Sequence, residues 1–361
     1  MSLSSGGLWA VACHFNPCGY ARRLANHRLF RERLGGPLLT IELSHDGEFE
    51  LRDDDADRVL RRTCRDVLWQ KERLLNLAVE ALPQSCDTVA WIDADVLFER
   101  DDWAAETLER LDHDVLVQLF SRYTDLPRDV LPEHAAARGL PETGASFAWL
   151  AARGGHDHDL FDAVWGFTFE ESGHDTERAD AAARVRRKRN SGFGWAARRE
   201  LLTRHGLYDA CILGCGDRAI TCAAYGRAAD SGQNWIRNAR QREHFLAWAA
   251  PFAADVAGRV GCVEGHVHHL WHGELTDRRY RHRWQHDLLR DFDPFTDIAV
   301  DERGCWRWSS AKPALHAYVA DYFALRLEDG REIGVPDRRT VGSGGEAGGG
   351  RPPELVEGEP G

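Results

Sequence analysis

The amino-acid sequence predicts an α/β fold in which a central, mostly parallel sheet is flanked by helices. Short apolar segments alternate with amphipathic segments through the first 120 residues, an order typical of parallel strands joined by helical crossovers. The 361 residues are 43% hydrophobic and 29% charged, as expected of a globular chain that buries a large core. No internal repeat or linker divides residues 1–329, so we expect one large domain there.

Each element follows from a local pattern. Apolar runs predict strands, and apolar stripes at helical spacing that end at glycine or proline predict helices. The segments predicted in the first 120 residues are strand 8–12, helix 20–34, strand 38–43, helix 67–82, strand 88–92, helix 103–111 and strand 115–120. Later segments are strand 193–197 with a helix to 202, a helix after 216, helices 237–250, 277–290 and 312–327, and strand 260–269.

Two segments lack such patterns. Residues 121–190 are polar and irregular, and they include the basic run 184–189. That run suits either a phosphate or anionic-membrane contact or a solvated loop. Residues 330–361 hold ten of the 34 glycines and no aromatic residue. Such a segment buries too little apolar surface to offset its ordering entropy, so it predicts a disordered tail.

The charge and the cysteines exclude several classes of protein. The chain has 46 basic and 58 acidic residues and a net charge of −12, which argues against nucleic acid as a partner. Its nine cysteines are scattered, no apolar run has the length of a membrane span, and the first residues lack the basic region of a signal peptide. We therefore expect a cytoplasmic protein without a transmembrane segment. The sequence does not indicate its oligomeric state.

The strongest chemical signal is the pair Asp93 and Asp95. Asp-x-Asp spacing occurs six times, but only this pair directly follows a buried-strand pattern and precedes more apolar residues. Two carboxylates in apolar surroundings are costly unless they are paired, hydrogen-bonded or bound to a cation. A divalent ion that bridges to a diphosphate is a natural partner. The alternative is a strand-end aspartate that caps the next turn.

A second signal is a run of four histidines within seven residues, from His266 to His272. Imidazole is a good ligand for Zn²⁺ or Mn²⁺-like ions. His269 and His272 could reach one ion if the chain turns between them, whereas the alternative is a surface cluster or a helix-end motif.

The third signal is the glycine-rich segment from Gly214 to Asp217. A carboxylate behind such a turn can approach a ligand closely and act as a general base, although it could also be a plain helix N-cap.

Weaker signals come earlier in the chain. His14 and Asn16 follow the first strand, and Arg22 lies one turn into the next helix, where open α/β sheets often bind nucleotides. Lys71 lies at the edge of an apolar stripe, where it could extend to solvent or bring a charge to a phosphate.

Together these features resemble glycosyltransferases of the GT-A fold, in particular the β-1,4-galactosyltransferase-like branch. The similar segments cover residues 8–290 and occur in the family's order. They are the loop from His14 to Arg22, Lys71 with Leu74-Leu75-Asn76, the DxD motif Asp93-Ala94-Asp95, residues 192–202 with 214–217, and His269-x-x-His272.

The resemblance implies a hexosyl- or N-acetylhexosaminyltransferase. It would move a sugar from a nucleotide sugar, such as a UDP-sugar, to a saccharide or other hydroxyl acceptor with inversion. Residues 8–120 would form the nucleotide-binding half and residues 190–300 the acceptor and metal half. The implied roles are Mn²⁺ or Mg²⁺ ligands Asp95, His269 and His272; donor-binding residues His14, Asn16, Arg22, Lys71 and Asp93; the base Asp217; and acceptor-binding residues Trp165, Trp195 and Gly216.

One departure from the family concerns the base. Related enzymes carry a second acid beside it, whereas Asp217 is followed by Arg218. Alternatives are a non-catalytic sugar- or nucleotide-sugar-binding protein of the same fold, a haloacid-dehalogenase-like phosphohydrolase, and a zinc hydrolase built on the histidines. The phosphohydrolase class places its Asp pair after the first strand and wants Thr or Val at the position of Leu97.

Overall fold

The computed structural model describes residues 7–135, 137–153, 189–230, 235–274, 276–278, 283–284 and 286–330. Three predictions concern other parts of the chain. Trp165, all of the basic run except Arg189, and the glycine-rich tail after Gly330 lie outside the described residues. The single domain and its two halves stay predictions.

Most helices of the described residues form near the predicted positions, and two form within segment 121–190, where none was predicted. They are α1 (Ala21–Arg33), α2 (Lys71–Glu80), α3 (Trp103–Arg110), α4 (Pro132–Ala135), α5 (Phe147–Ala152), α6 (Arg199–His205), α7 (Gly216–Ala224), α8 (Ala239–Val256) and α9 (Pro313–Leu325). Helix α6 ends at Gly206, whose φ of 64° suits glycine at a helix C-terminus.

The strands of the described residues form three sheets. They are β1 (Leu8–Phe15), β2 (Leu38–Ser44), β3 (Arg58–Thr63), β4 (Thr88–Ile92), β5 (Val96–Phe98), β6 (Leu116–Gln118), β7 (Arg122–Asp125), β8 (Gly144–Ser146), β9 (Arg189–Asn190), β10 (Gly194–Arg198), β11 (Val260–Cys262), β12 (His266–His269), β13 (Ile298–Val300) and β14 (Trp306–Trp308). The large sheet has the order β11-β6-β10-β4-β1-β2-β3, the second β5-β12-β7-β8-β9, and β13 pairs with β14.

The large sheet confirms the predicted α/β fold with a central, mostly parallel sheet. All of its pairs are parallel except the two that β10 makes with β4 and β6. Alternate residues of the central strands enter two hydrophobic cores, Val89 and Trp91 on one face and Ala90 and Ile92 on the other. Both faces are therefore covered, and the carboxyl ends of β1 and β4 lie side by side.

The predicted strand over residues 260–269 is two strands in different sheets. Val260–Cys262 pairs with β6 in the large sheet, while His266–His269 pairs with β5 and β7 in the second sheet. The register places His269 opposite Val96, directly after the Asp93–Asp95 turn. This change of sheet brings the histidines to the end of β4.

Three other segments differ from the sequence-based expectation. The edge strand β3 was not predicted, because its arginines hide the apolar alternation, as is common at sheet edges. Helix α2 begins at Lys71 and not near residue 67, and before it the Trp69 amide donates to Ile212 O. In place of a helix over 277–290, the described residues show a 3₁₀ turn, Asp287–Asp291, capped by His286.

The irregular segment 121–190 also contains more order than predicted, since β7, α4, β8 and α5 lie in its first part. Among the described residues, no helix has the length and apolar character needed to cross a membrane. All nine cysteines are free thiols.

Candidate functional site

The Asp93–Asp95 turn joins β4 to β5 at the carboxyl end of the large sheet. The Asp93 amide donates to Phe193 O over 2.8 Å, and Asp93 O accepts from the Val96 amide over 3.2 Å. Asp95 O accepts from the Leu270 amide over 2.8 Å, directly after β12. Backbone hydrogen bonds therefore tie this turn to both β10 and the histidine segment.

Asp95, His269 and His272 form a compact cluster. His272 Nε2 lies 3.2 Å from Asp95 Oδ2 and 3.2 Å from His269 Nε2, and His269 Nε2 lies 3.8 Å from Asp95 Oδ1. One ligand atom from each residue lies within 4.8 Å of the others. Sequence reasoning identified these three residues, and the structure brings them together.

This cluster fits a divalent cation. Asp95 Oδ1 is buried and has no hydrogen-bond partner, so a cation would satisfy it. Burial raises the pKa of the Asp95 carboxyl, opposed by the nearby His269. Burial also holds the pKa of His272 well below its usual value, and the neutral imidazole is the form that binds metal.

Phe193 lines the same cluster, and sequence reasoning missed it. Its ring stacks on His269 with 4.5 Å between ring centres, while its backbone accepts the Asp93 amide. Its φ of 72° is unusual for a residue other than glycine. Such strain persists only where the surroundings over-determine it, here through the contacts to both residues.

A second cluster surrounds Lys71, the first residue of α2. Its Nζ lies 2.5 Å from Asp93 Oδ1 and 3.1 Å from Asp217 Oδ2. Lys71 is 9% exposed. Burial works against its charge, but Asp217, Asp93 and Glu72 together hold the pKa of Lys71 well above its usual value. The lysine therefore joins the predicted donor-binding aspartate to the predicted base.

Asp217 lies in the first turn of α7 but is not its N-cap, which is Cys215. Its carboxylate contacts Lys71, and Gly192 lies close beside it, where an added Cβ would be 3.2 Å from Asp217 Oδ2. Burial raises the pKa of Asp217, opposed by Lys71. The position suits a carboxylate that takes up a proton, as the base prediction requires.

Glu72 is a buried acid that sequence reasoning missed. Its Oε2 accepts from Trp69 Nε1 over 3.0 Å, and a Cβ on Gly216 would lie only 2.2 Å from Glu72 Oε1. Burial raises the pKa of Glu72 to about 8, Lys71 lowers it and Asp217 raises it. Helix α2 thus places an acid beside the start of α7, where the sequence of the 214–218 segment provides only Asp217.

Gly214 and Gly216 could have indicated from the sequence that another part of the chain packs closely against this segment. An added Cβ on Gly214 would lie 3.2 Å from the Trp69 ring, as the one on Gly216 would meet Glu72. Positions 214 and 216 therefore have little room for a side chain, because the backbone there packs directly against Trp69 and Glu72. Gly216 lies in this closely packed segment, and its predicted contact with an acceptor stays a prediction.

His14, which the sequence placed after the first strand, lies within β1, and Glu50 joins it to Asn16 in the following loop. His14 Nε2 lies 2.5 Å from Glu50 Oε2, and Asn16 Nδ2 donates to both oxygens of that carboxylate over 3.0 Å. Glu50 had no signal in the sequence, since it lies in a polar loop. Arg22 pairs with Asp129 over 2.7 Å. Donor binding by His14, Asn16 and Arg22 stays a prediction.

Trp195 does not fit its predicted role as a platform for a sugar ring. Its side chain is fully buried in the core at the centre of β10, and its Nε1 donates to Ser191 O over 2.8 Å. A ring without exposed surface cannot stack on a ligand, so we leave Trp195 out of the proposed site.

No protein-family model and no curated protein matches the sequence. Solved structures similar to the chain include S. aureus TarS 1–349, at 7% identity over 73% of this chain and 60% of that one, with a TM-score of 0.37. Another is Mycobacterium tuberculosis glucosyl-3-phosphoglycerate synthase in complex with Mn²⁺, UDP and phosphoglyceric acid, at 15% identity over 81% of both chains, with a TM-score of 0.36.

A third similar structure is described as a mycobacterial protein, at 13% identity over 84% of this chain and 83% of that one, with a TM-score of 0.38. The chain thus spans less than two thirds of the TarS structure. These scores are too low to assign a family or an activity. The resemblance to the β-1,4-galactosyltransferase-like branch stays a prediction.

Proposed function

We propose that the protein is a metal-dependent glycosyltransferase of the GT-A type, which moves a sugar from a nucleotide sugar to a hydroxyl acceptor. One observation carries the proposal. The Asp93–Asp95 turn directs one carboxylate into a cluster that suits a divalent cation and the other to a lysine that contacts Asp217. Groups for a diphosphate and for a hydroxyl nucleophile thus lie at adjacent positions.

Asp95, His269 and His272 would hold the cation. Two imidazoles favour Mn²⁺ over Mg²⁺, which prefers oxygen ligands and retains its water. When bound, the ion supplies positive charge for the departing diphosphate. His14 near the end of β1, Asn16 after it and Arg22 in α1 would hold the rest of the donor, which we propose to be a UDP-sugar.

Asp217 would accept the proton of the acceptor hydroxyl. The hydroxyl oxygen then attacks the anomeric carbon, and the bond between that carbon and the diphosphate oxygen breaks. This displacement inverts the configuration at the anomeric carbon. Lys71 keeps the Asp217 carboxylate in place through its contacts to Asp217 and Asp93. We propose a saccharide or another hydroxyl compound as the acceptor, and the cytoplasm as the location.

A thermal-shift screen of the full chain tests this proposal. UDP, UDP-glucose, UDP-N-acetylglucosamine and GDP-mannose are each added with Mn²⁺, with Mg²⁺ or with EDTA. A ligand at 100 times its Kd stabilises the native state by about 2.7 kcal/mol, so a bound nucleotide gives a clear increase in Tm. We expect this increase with a UDP compound and Mn²⁺, and its loss with EDTA or in Asp95→Ala.

The absence of a shift with every nucleotide would contradict the proposal. A metal-dependent shift without release of UDP in the presence of candidate acceptors would instead indicate a binding protein of the same fold. A matched control is Asp112→Ala, which removes an exposed partner of Arg198 and no group of the proposed donor or metal site.

A further inference from the structure

Each histidine of the candidate metal cluster has a carboxylate on the side away from Asp95. His269 Nδ1 lies 2.9 Å from Asp125 Oδ1, and His272 Nδ1 lies 3.7 Å from Glu328 Oε1. The Nε2 atoms of both rings face Asp95 and each other. The two rings are thus arranged alike, although their carboxylate partners come from different parts of the chain.

Asp125 is held in this position by the second sheet. It is the last residue of β7, which pairs in parallel with β12 and places Asp125 opposite His269. The Leu126 amide donates to His269 O over 2.8 Å, and the Asp125 amide donates to Thr143 Oγ1 over 2.7 Å. The strand register therefore determines where this carboxylate lies.

Glu328 reaches His272 from the segment after α9. It is 1% exposed and lies between the guanidinium groups of Arg23 and Arg326, which contact its two oxygens. The two arginines hold the Glu328 carboxyl group in place, with its Oε1 on the Nδ1 side of His272.

The chain also makes room for this segment beside His272. Gly273 has a φ of 91°, and a Cβ there would lie 2.7 Å from Arg326 O and 3.2 Å from the Glu328 Cα. A side chain at position 273 would push the C-terminal segment away from the cluster. Close packing and the buried charge contacts both place Glu328 at His272.

The geometry points to Asp125 and Glu328 as positioning residues of the metal centre. Each would accept the Nδ1 proton of one histidine and so direct the Nε2 lone pair toward the ion. A carboxylate on the far nitrogen of a metal-binding histidine sets its tautomer and orientation and increases its basicity, and its loss commonly lowers metal affinity 10- to 100-fold. This inference rests on the metal-binding part of the proposed function only.

Metal titrations of the full-length protein test the inference. Mn²⁺ is the probe, and free Mn²⁺ is measured by electron paramagnetic resonance at pH 7.5. We expect Asp125→Asn and Glu328→Gln each to raise the Mn²⁺ dissociation constant about 10- to 100-fold, while Asp95→Ala abolishes binding. Co²⁺ added in place of Mn²⁺ should show a shifted d–d absorption band in both variants, which a purely structural role would not produce.

Two matched variants serve as controls. Asp329→Asn changes the residue next to Glu328. The Asp329 carboxylate accepts hydrogen bonds from the Ala21 and Arg22 amides. Glu142→Gln changes the partner of Arg122 at the other end of β7. Both should bind Mn²⁺ within about twofold of the unmodified protein.

Affinity and Co²⁺ spectra of Asp125→Asn that equal those of the unmodified protein would overturn the inference. If Glu328→Gln does not fold, as judged by circular dichroism, Asp125→Asn alone decides the question. Absence of Mn²⁺ binding by the unmodified protein would overturn it as well. Tight Mn²⁺ binding with the expected variant effects but no response to any nucleotide sugar would support it and contradict the glycosyltransferase proposal.

Discussion

Asp93 and Asp95 are separated by one residue, yet their carboxyl groups lie in different electrostatic surroundings. Asp93 contacts the buried Lys71 over 2.5 Å, so its charge is already compensated within the chain. Asp95 contacts two imidazoles, and its buried Oδ1 has no hydrogen-bond partner. One side of the turn therefore has its own cation, the Lys71 ammonium, whereas we propose that the other side takes a cation from solution.

The two sides of the turn also differ in the tertiary contacts that form them. The Asp95 side depends on strand pairing, because β12 aligns with β5 and β7. The Lys71 side depends on helix packing, because Lys71 and Glu72 of α2 meet the start of α7. We therefore expect substitutions on the first side to change metal binding and those on the second to change stability and proton transfer.

The largest expected effect is a loss of sugar-transfer activity, and it distinguishes the Lys71 side of the turn from the Asp95 side. Asp217→Asn removes the proposed base, so release of the nucleoside diphosphate in the presence of acceptor should decrease about 10²- to 10⁴-fold. Mn²⁺ affinity should stay the same, because Asp217 is not part of the metal cluster. Asp95→Ala should lose both properties. Normal turnover by Asp217→Asn would show that the base is assigned wrongly.

Lys71→Met tests whether the lysine compensates the buried acids. Without its charge, Asp93 and Asp217 lose their buried partner, and the free energy of unfolding should decrease by about 3–5 kcal/mol. Urea denaturation at pH 7 measures this change. The control Arg240→Met removes an exposed partner of Glu243 and should cost less than about 1 kcal/mol. Equal costs for the two variants would contradict a central role for Lys71.

Gly216→Ala tests the contact between α2 and α7. The new Cβ would lie 2.2 Å from Glu72 Oε1, so the carboxyl must leave its bond to Trp69, at a cost of about 1–3 kcal/mol. Gly36→Ala is the control, since no atom lies within 4 Å of its added Cβ. The cost of Gly216→Ala should fall in a Glu72→Ala background, and an unchanged cost would argue against the contact.

A further effect is a pH dependence of stability that arises from Glu72. Its pKa is about 8 in the folded protein, compared with an ordinary value of 4.5. Between these values the folded state holds one more proton than the unfolded state. The free energy of unfolding therefore falls as pH rises, by about 1.4 kcal/mol per pH unit.

Glu72→Gln should remove this slope when urea denaturation is followed from pH 5 to pH 8. Glu80→Gln, an exposed substitution on the same helix, should leave it unchanged. An identical slope in Glu72→Gln and the unmodified protein would show that Glu72 is ionised at neutral pH in the fold.

Much of the fold was predictable because local patterns encode it. Buried strands such as Thr88–Ile92 and helices such as Trp103–Arg110 formed where apolar periodicity indicated them. The members of the candidate metal cluster were also predictable, since Asp95 follows a buried strand and His269 and His272 belong to a dense histidine run. The antiparallel β10 and the division of residues 260–269 between two sheets were not, because strand direction and partner depend on distant segments.

The sequence by itself determined most strands and helices of the first 120 residues, the turn that carries Asp93 and Asp95, and the glycines at 214 and 216. Each of these depends on residues within one or two turns of chain. Only the tertiary structure decided that Lys71 meets Asp217, 146 positions away, and that Asp125 and Glu328 lie behind the histidines. Buried charges are stable only beside their partners, and those partners are brought together by packing between distant segments.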